Sequence, residues 1–390
     1  MIYRGRVFDG SEIHEFAEFA IDESTGTIEY IEDTRKSQEV SGDITFLPGL
    51  IDTHIHFFGR EERSLFSWTM TPDAVLAVKA VYDAENLLKS GFTTVRTMGD
   101  KVSLGLSVAE KEGILRGPRM ISSGYSIAQT GGDDDPKFLP YEDSRKRSYS
   151  YYCDGPWECR KAVRLNIRNG AESIKAYSSS SFVGGGRIRD ELTVDELKAI
   201  ADEAHRSKVK AASHAYGASA IQNSLDAGFD SIEHGLGLNE DLAAQMAKKG
   251  TFYVPTLSVY KSLRREANET RDAMIKRHIE TEVKIAQDSG VKIAVGTDFL
   301  GTTDEPLGSN WLEILYLSEI IGVRSAIVSA TSLAAECLGL GNVGVIGKGF
   351  RGDIIGVKGN PFLNIRQLSP ESVVLVVKNG KITKHLPNIT

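Results

Sequence analysis

From about residue 46 to residue 298, short apolar segments of strand length alternate with amphipathic helical segments, and this alternation restricts the possible architectures more than any other feature. Eight candidate strands end near His54, Thr97, Ser122, Lys175, His214, His234, Thr256 and Asp298. Eight strand-then-helix repeats close most simply into a (β/α)8 barrel of the α/β class. An open doubly wound sheet would want a glycine fingerprint after its first strand, and Pro48-Gly49-Leu50-Ile51 is not one. The glycine-rich string from Gly344 to Gly349 follows no clear strand and opens no helix, so it reads as a loop.

The helices carry their own punctuation. Thr71-Pro72-Asp73 supplies a cap, an N1 proline and a first-turn acid, after which Val75, Val78 and Val81 fall on one face and Gly91 follows the end. Thr193 with Glu196 three residues on is a capping box, and Leu197, Ile200 and Ala204 form its apolar stripe. The two ends of the chain differ from this middle. Ile2 to Val7, Glu15 to Ile21, Thr27 to Ile31, Asp353 to Val357, Val373 to Val377 and Lys381 to Thr383 are strand-like runs broken by turn residues. The expected arrangement is a small β-sandwich built from both termini (1–48 plus 350–390) beside a barrel over 49–349.

Lys plus Arg total 46 against 53 for Asp plus Glu, a net charge of −7, which argues against nucleic acid or an anionic membrane as partner and for a small molecule. The start, MIYRGRVFDG, lacks the pattern of a secretory signal, and no apolar run approaches membrane-spanning length. Cys153, Cys159 and Cys337 form neither a CxxC pair nor an even framework, which suits a reducing compartment; the expected location is the cytoplasm.

Four of the eight histidines, His54, His56, His214 and His234, sit at the C-terminal ends of these strands, the face on which barrels build their active sites. His54 and His56 form His-x-His, so strand alternation points both imidazoles to one side, where two nitrogens can converge on a cation. A lone histidine is more often a satisfied core or surface residue, but four at strand ends with an acid are not explained that way. Asp298 closes an apolar strand beginning at Val291, and a carboxylate there needs a partner. Lys175 ends Ser173-Ile174-Lys175, and beside several cations a lysine amine gives up its proton readily.

Together, Pro48-Gly49-Leu50-Ile51-Asp52-Thr53-His54-Ile55-His56, Lys175, Ser213-His214-Ala215-Tyr216-Gly217, Ile232-Glu233-His234-Gly235 and Gly296-Thr297-Asp298 resemble the amidohydrolase superfamily, and within it the prolidase-like peptidases. The likeness runs nearly the full length, including Gly117-Pro118-Arg119 and Ala330-Thr331. It implies a binuclear site, usually zinc, bridged by a carboxylated lysine. Carried over residue by residue, His54, His56 and Asp298 would hold the first ion, His214 and His234 the second, and Lys175 both. A water bridging two divalent ions would become hydroxide near neutral pH and attack a polarised carbonyl. Asp298 would accept its proton and pass it to the leaving nitrogen.

Tyr216, two residues beyond His214, should point to the same side. In prolidase-like relatives a tyrosine in this place binds the substrate's free carboxylate, so the implied target is an amide bond to a C-terminal amino acid, in dipeptides or N-acyl amino acids. The resemblance also implies a homo-oligomer. One departure stands out. Relatives often carry a histidine after the paired glycines that follow the third strand, whereas this chain reads Gly131-Gly132-Asp133-Asp134-Asp135. That acidic run reads as a solvated loop, with selection of a basic substrate side chain as the sharper alternative. The following stretch, with Tyr141, Arg145, Lys146, Arg147, Tyr149, Tyr151 and Tyr152, has no period and could cover the mouth.

The same metals could also serve a lactonase or organophosphate hydrolase. A mononuclear deaminase would want a glutamate where Tyr216-Gly217-Ala218 stands and would leave Lys175 unexplained. A non-catalytic scaffold would have lost ligands, and all six are present.

Overall fold

The computed structural model describes residues 1–34, 44–59, 64–182, 188–262, 269–301 and 306–385. The N-terminal strands are β1 (Ile2–Phe8), β2 (Ile13–Asp22), β3 (Thr27–Asp33) and β4 (Ile44–Pro48). They join the C-terminal β14 (Ile354–Lys358), β15 (Val373–Lys378) and β16 (Lys381–His385) in one sheet, order β16-β15-β14-β4-β1-β2-β3. β4 makes the join: it runs parallel to β1 and antiparallel to β14. This β-sandwich has a core that takes Val7, Phe19, Ile28 and Phe46 from one end of the chain and Ile354, Leu375 and Val377 from the other. Backbone bonds from Gly380 to Gly352 and from Gly352 to Gly26 tie the turns of the two ends together.

The barrel strands are β5 (Leu50–Ile55), β6 (Phe92–Thr97), β7 (Arg119–Ser122), β8 (Ser126–Ala128), β10 (Ser173–Tyr177), β11 (Lys210–Ala215), β12 (Ser231–His234) and β13 (Phe252–Val254); β9 (Ser150–Tyr152) pairs outside them on β8. β5-β6-β7 and β8-β10-β11-β12-β13 pair in parallel throughout. β7 and β8 are two halves of one stave, bent at Ser123–Tyr125, where Ser123 N–H goes to Thr97 O and Tyr125 N–H to the Asn166 side chain.

Three expectations about strands and helices change. The first strand, expected from about residue 46 to His54, is not continuous: the chain leaves the sandwich at Pro48 and enters the barrel at Leu50. Gly49 permits this, because a Cβ there would lie 2.1 Å from Thr93 Oγ1. The eighth stave, expected from Val291 to Thr297, is not a regular strand. It touches its neighbours through the bridges Tyr253↔Ile293 and Ile55↔Phe299, because its donors are diverted, Val295 N–H to Ser329 O and Thr297 N–H to the Asp52 carboxylate. Finally, Val75, Val78 and Val81 lie on the outer face of helix Asp73–Lys89, with Val78 74% exposed, while Leu76, Ala80, Ala84, Leu87 and Leu88 face the core. The capping box at Thr193 and its buried stripe are as expected.

Leu76→Ala should therefore cost ~2–5 kcal/mol in denaturant unfolding, whereas Val78→Ala should stay within ~0.5 kcal/mol. A reversed order would reject this assignment of faces.

Cys153 and Cys159, expected as free thiols, form a disulfide, leaving Cys337 buried and free. The six-residue spacing hid the pair, and the cysteine argument for a reducing compartment falls with it. Among the described residues no helix is long and apolar enough to cross a membrane.

A candidate metal centre at the barrel rim

The six residues singled out as ligands come to one rim. His54 lies near the end of β5, His56 just beyond it, Lys175 within β10, His214 within β11 and His234 at the end of β12. Asp298 follows the irregular eighth stave. Its Oδ1 lies 3.4 Å from His54 Nε2 and 3.1 Å from His56 Nε2, and one donor atom from each of these three residues lies within 4.8 Å of the others. Around the rim the imidazole centroids of His54 and His234 are 5.0 Å apart and those of His234 and His214 are 4.6 Å apart. Lys175 Nζ lies 5.4 Å from the Tyr177 ring, which packs on His214.

Backbone strain is concentrated here. His234, Thr256 and Asp298 adopt φ of +67°, +52° and +58°, in the left-handed region that side chains other than glycine seldom occupy. Each costs roughly 1–3 kcal/mol and persists only where its surroundings over-determine it. All three turn their side chains at the ends of staves. Gly296 must be glycine, since a Cβ would lie 2.4 Å from Val254 Cγ1 and 2.8 Å from His54 Cβ; its absence lets Asp298 come in beside His54.

The electrostatics favour ligands in their binding forms. Burial holds His214 and His234 well below the usual imidazole range, so both are neutral. Burial also brings the Lys175 amine down to about 8. Three atoms aimed into the rim, His54 Nε2, Lys175 Nζ and His214 Nε2, are buried without a hydrogen bond among the described residues. Buried polar atoms are otherwise nearly always satisfied. Imidazole nitrogens, a carboxylate and a lysine that can become a carbamate are a donor set suited to divalent zinc.

The candidate ligands are held from behind by groups that sequence reading left unassigned. Glu233 accepts from His54 Nδ1 (2.7 Å) and from Arg96 Nη2 (2.7 Å), and Arg96 Nε donates to Thr53 O. Burial pushes Glu233 up, but Arg96 and then His54 more than offset this and hold it at about 2. His56 Nδ1 donates to Gly99 O, and His234 Nδ1 meets Thr256 Oγ1 at 2.8 Å. Asp52 accepts from His54 N–H, Thr297 Oγ1 and Asn310 Nδ2, tying the first and eighth staves together. The rule that flagged Asp298, that a carboxylate in an apolar strand needs a partner, applies equally to Asp52 and Glu233. Arg96 offers no comparable signal.

Tyr216 stacks on His214, with ring centroids 4.6 Å apart, and its hydroxyl is 2.7 Å from that of Tyr260. The acidic loop departs from expectation, because Asp133, Asp134 and Asp135 are all buried. Asp134 accepts from Tyr149, Ser150 and Ser126, Asp135 from Ser144 and Gly131 N–H, and Asp133 from Ser181. These acids fold the loop onto the barrel; hydroxyl and amide donors, which have no charge pattern, satisfy them. The tyrosine-rich stretch has structure as well, a helix at Tyr141–Arg147 followed by β9. Tyr149 packs edge-on against Phe58, which lies between His56 and Trp68 in a ring stack, so this segment is part of the wall beside the first ligand pair.

The profile of the amidohydrolase family matches residues 45–383. Ochratoxinase from Aspergillus niger is 30% identical over 392 residues, covering 91% of this chain and 78% of that protein. Its crystal structure superposes with a TM-score of 0.90 at 26% identity over 98% of this chain and 96% of that one. A Xaa-Pro dipeptidase with bound methionine gives 0.84 at 32% identity (98% and 99%), and a prolidase complexed with N-methylphosphonate-L-proline gives 0.89 at 27% (99% and 100%).

Proposed function

The chain belongs to the amidohydrolase family, whose relatives here mark it as a hydrolytic enzyme acting on amide or peptide bonds, and we propose that it cleaves the amide bond to a C-terminal amino acid at a two-metal centre. The observation that carries this reading is the set of three buried nitrogens without a hydrogen bond among the described residues, His54 Nε2, Lys175 Nζ and His214 Nε2, at the rim that also carries His56, His234 and Asp298. His54, His56 and Asp298 would hold one ion, His214 and His234 the other, and Lys175, as its carbamate, both. Divalent ions held there, most naturally zinc, would acidify a water and polarise the scissile carbonyl.

The chain's own groups do the rest. Asp298, only partly exposed and fixed by its left-handed backbone, takes the proton of the attacking water and returns it to the leaving nitrogen. Glu233 keeps the proton of His54 on Nδ1, so that Nε2 faces the rim. Tyr216, stacked on His214 at the mouth, donates to the substrate carboxylate. Support for an amino acid on the leaving side comes from the similar structures that hold methionine and N-methylphosphonate-L-proline, both of which carry a free carboxylate. The reading includes a homo-oligomer working on dipeptides or N-acyl amino acids; the net charge of −7 speaks against nucleic acid or anionic membrane as partners.

The test is a screen of dipeptides, N-acyl amino acids and lactones on purified protein with zinc and bicarbonate, scored by release of free amine. Amine release that disappears on chelation and returns with zinc is expected. Lactone turnover without amine release would assign the centre to ester chemistry. Tyr216→Phe should raise KM for a dipeptide about tenfold or more, the loss of a hydrogen bond to a charged group. An unchanged KM would remove Tyr216 from substrate binding.

A further inference from the structure

Of the three left-handed residues at the rim, His234 and Asp298 are themselves candidate ligands and Thr256 is not. Its part is indirect, since Thr256 Oγ1 lies 2.8 Å from Nδ1 of His234. A β-branched residue keeps a φ of +52° only where the chain around it is fixed, and here it is fixed on both sides. Before it, Pro255 O accepts from His278 Nε2 at 2.8 Å. After it, the N–H groups of Leu257 (2.9 Å) and Ser258 (2.6 Å) and the Ser258 hydroxyl (2.7 Å) all donate to the Glu313 carboxylate.

Glu313 lies in the first turn of helix Trp311–Ile321 and is fully buried. A carboxylate at that depth costs stability unless its oxygens are satisfied. Here both accept, which a glutamine of the same shape cannot do. The same helix is preceded by Asn310, whose Nδ2 donates to Asp52 at 2.7 Å, and Asp52 accepts the His54 N–H. One turn of helix therefore reaches both halves of the rim, Asn310 the His54 side and Glu313 the His234 side.

We propose that Glu313 is a positioning residue for the second ion: by fixing Leu257 and Ser258 it holds Thr256 in its strained form, keeps the Thr256 hydroxyl against His234 Nδ1 and so presents Nε2 to the rim. The proposal rests on the two-metal reading, in which His214 and His234 hold that ion. A neutral imidazole has one hydrogen. With that hydrogen on Nδ1 and accepted by Thr256, Nε2 keeps its lone pair for a metal. Without the clamp Thr256 relaxes towards an ordinary φ, its oxygen leaves Nδ1, and the ring loses its fixed tautomer and orientation. Asn310 stands in the equivalent place for the first ion, through Asp52, and supplies the comparison.

The test measures the two successive zinc affinities by chelator competition at pH 8, above the value of about 7 to which burial raises the Glu313 carboxyl. Glu313→Gln should weaken one of them roughly 10- to 100-fold, the effect of losing a group behind a ligand, and leave the other within about twofold. The weakened ion should be the one that His214→Ala lacks. Asn310→Ala should weaken the other, the one that His56→Ala lacks. Thr256→Val should match Glu313→Gln, and the double variant should bind no more weakly than either alone, since both break one path. Melting of the metal-free proteins reports structural damage separately, and Ser258→Ala, which removes one donor, should show the same selectivity at smaller size if Glu313→Gln does not fold. Equal weakening of both ions, or additive losses in the double variant, would overturn the proposal and leave a role in folding alone. If wild-type protein holds two zinc ions and Glu313→Gln leaves both untouched, the clamp is refuted and the two-metal reading survives. If wild type holds fewer than two, both fall together.

Discussion

On the two-metal reading proposed above, Lys175→Ala should lose at least ~10³-fold in kcat/KM on amide substrates, and its metal content should fall below two ions per chain. The magnitude is that expected if a shared ligand were removed from a metal centre supplying several kcal/mol of transition-state stabilisation, each ~1.4 kcal/mol being tenfold in rate. Lys175 is 1% exposed and its Nζ has no hydrogen bond among the described residues. A buried ammonium without a hydrogen bond costs stability, so a lysine at this place in β10 asks for a chemical reason rather than a packing one. Burial brings the amine to about 8, which leaves a useful fraction of free base near neutral pH to combine with carbon dioxide. The resulting carbamate would supply an anionic oxygen donor beside the imidazoles. Because alanine deletes a costly buried amine, the variant should remain folded, and circular dichroism melting separates lost chemistry from lost structure. Wild-type turnover, or two ions retained per chain by elemental analysis, would end the bridging role.

Glu233 has the second large effect, and its two substitutions should differ in kind. Glu233→Ala leaves the Arg96 guanidinium buried beside an empty space, a loss of ~3–5 kcal/mol in unfolding free energy for breaking a buried pair. Glu233→Gln keeps the shape but weakens both the grip on Arg96 and the hold on His54 Nδ1, and should lower zinc affinity roughly 10- to 100-fold, as loss of a group behind a ligand does. The acid side of the stability profile reports on the same residue. Its folded value of about 2 lies below the ordinary 4.5. A depressed acid stabilises the fold above its unfolded value, and this contribution is lost as pH falls from 4.5 towards 2. Glu233→Gln should flatten that part of the profile. If alanine and glutamine behaved alike in both stability and zinc affinity, the paired role would be wrong.

The parts of this protein legible in its residues are those encoded by short range. The strand-end positions of His54, His56, Lys175, His214 and His234 follow from apolar runs a few residues long, and the His-x-His alternation needs only two residues. The capping box at Thr193 needs four. The parts that were misread depend on partners far away in the chain. The buried acids Asp133 to Asp135 look solvated until Ser181, Ser144 and Tyr149 arrive to satisfy them. Helix Asp73–Lys89 offers two apolar faces, and only the barrel and sandwich packed against it choose Leu76 over Val78.

The amino-acid order alone determined a barrel with a terminal sandwich, and it placed candidate side chains at the ends of the barrel strands, because strand period and strand order are local properties that survive without knowledge of contacts. Tertiary structure alone decided how those side chains are held. Glu233 reaches His54 across 179 residues, Asn310 reaches Asp52 across 258, and Tyr260 reaches Tyr216 across 44. Hydrogen bonds of that span leave no periodic trace in a sequence, since their geometry exists only once the staves have closed.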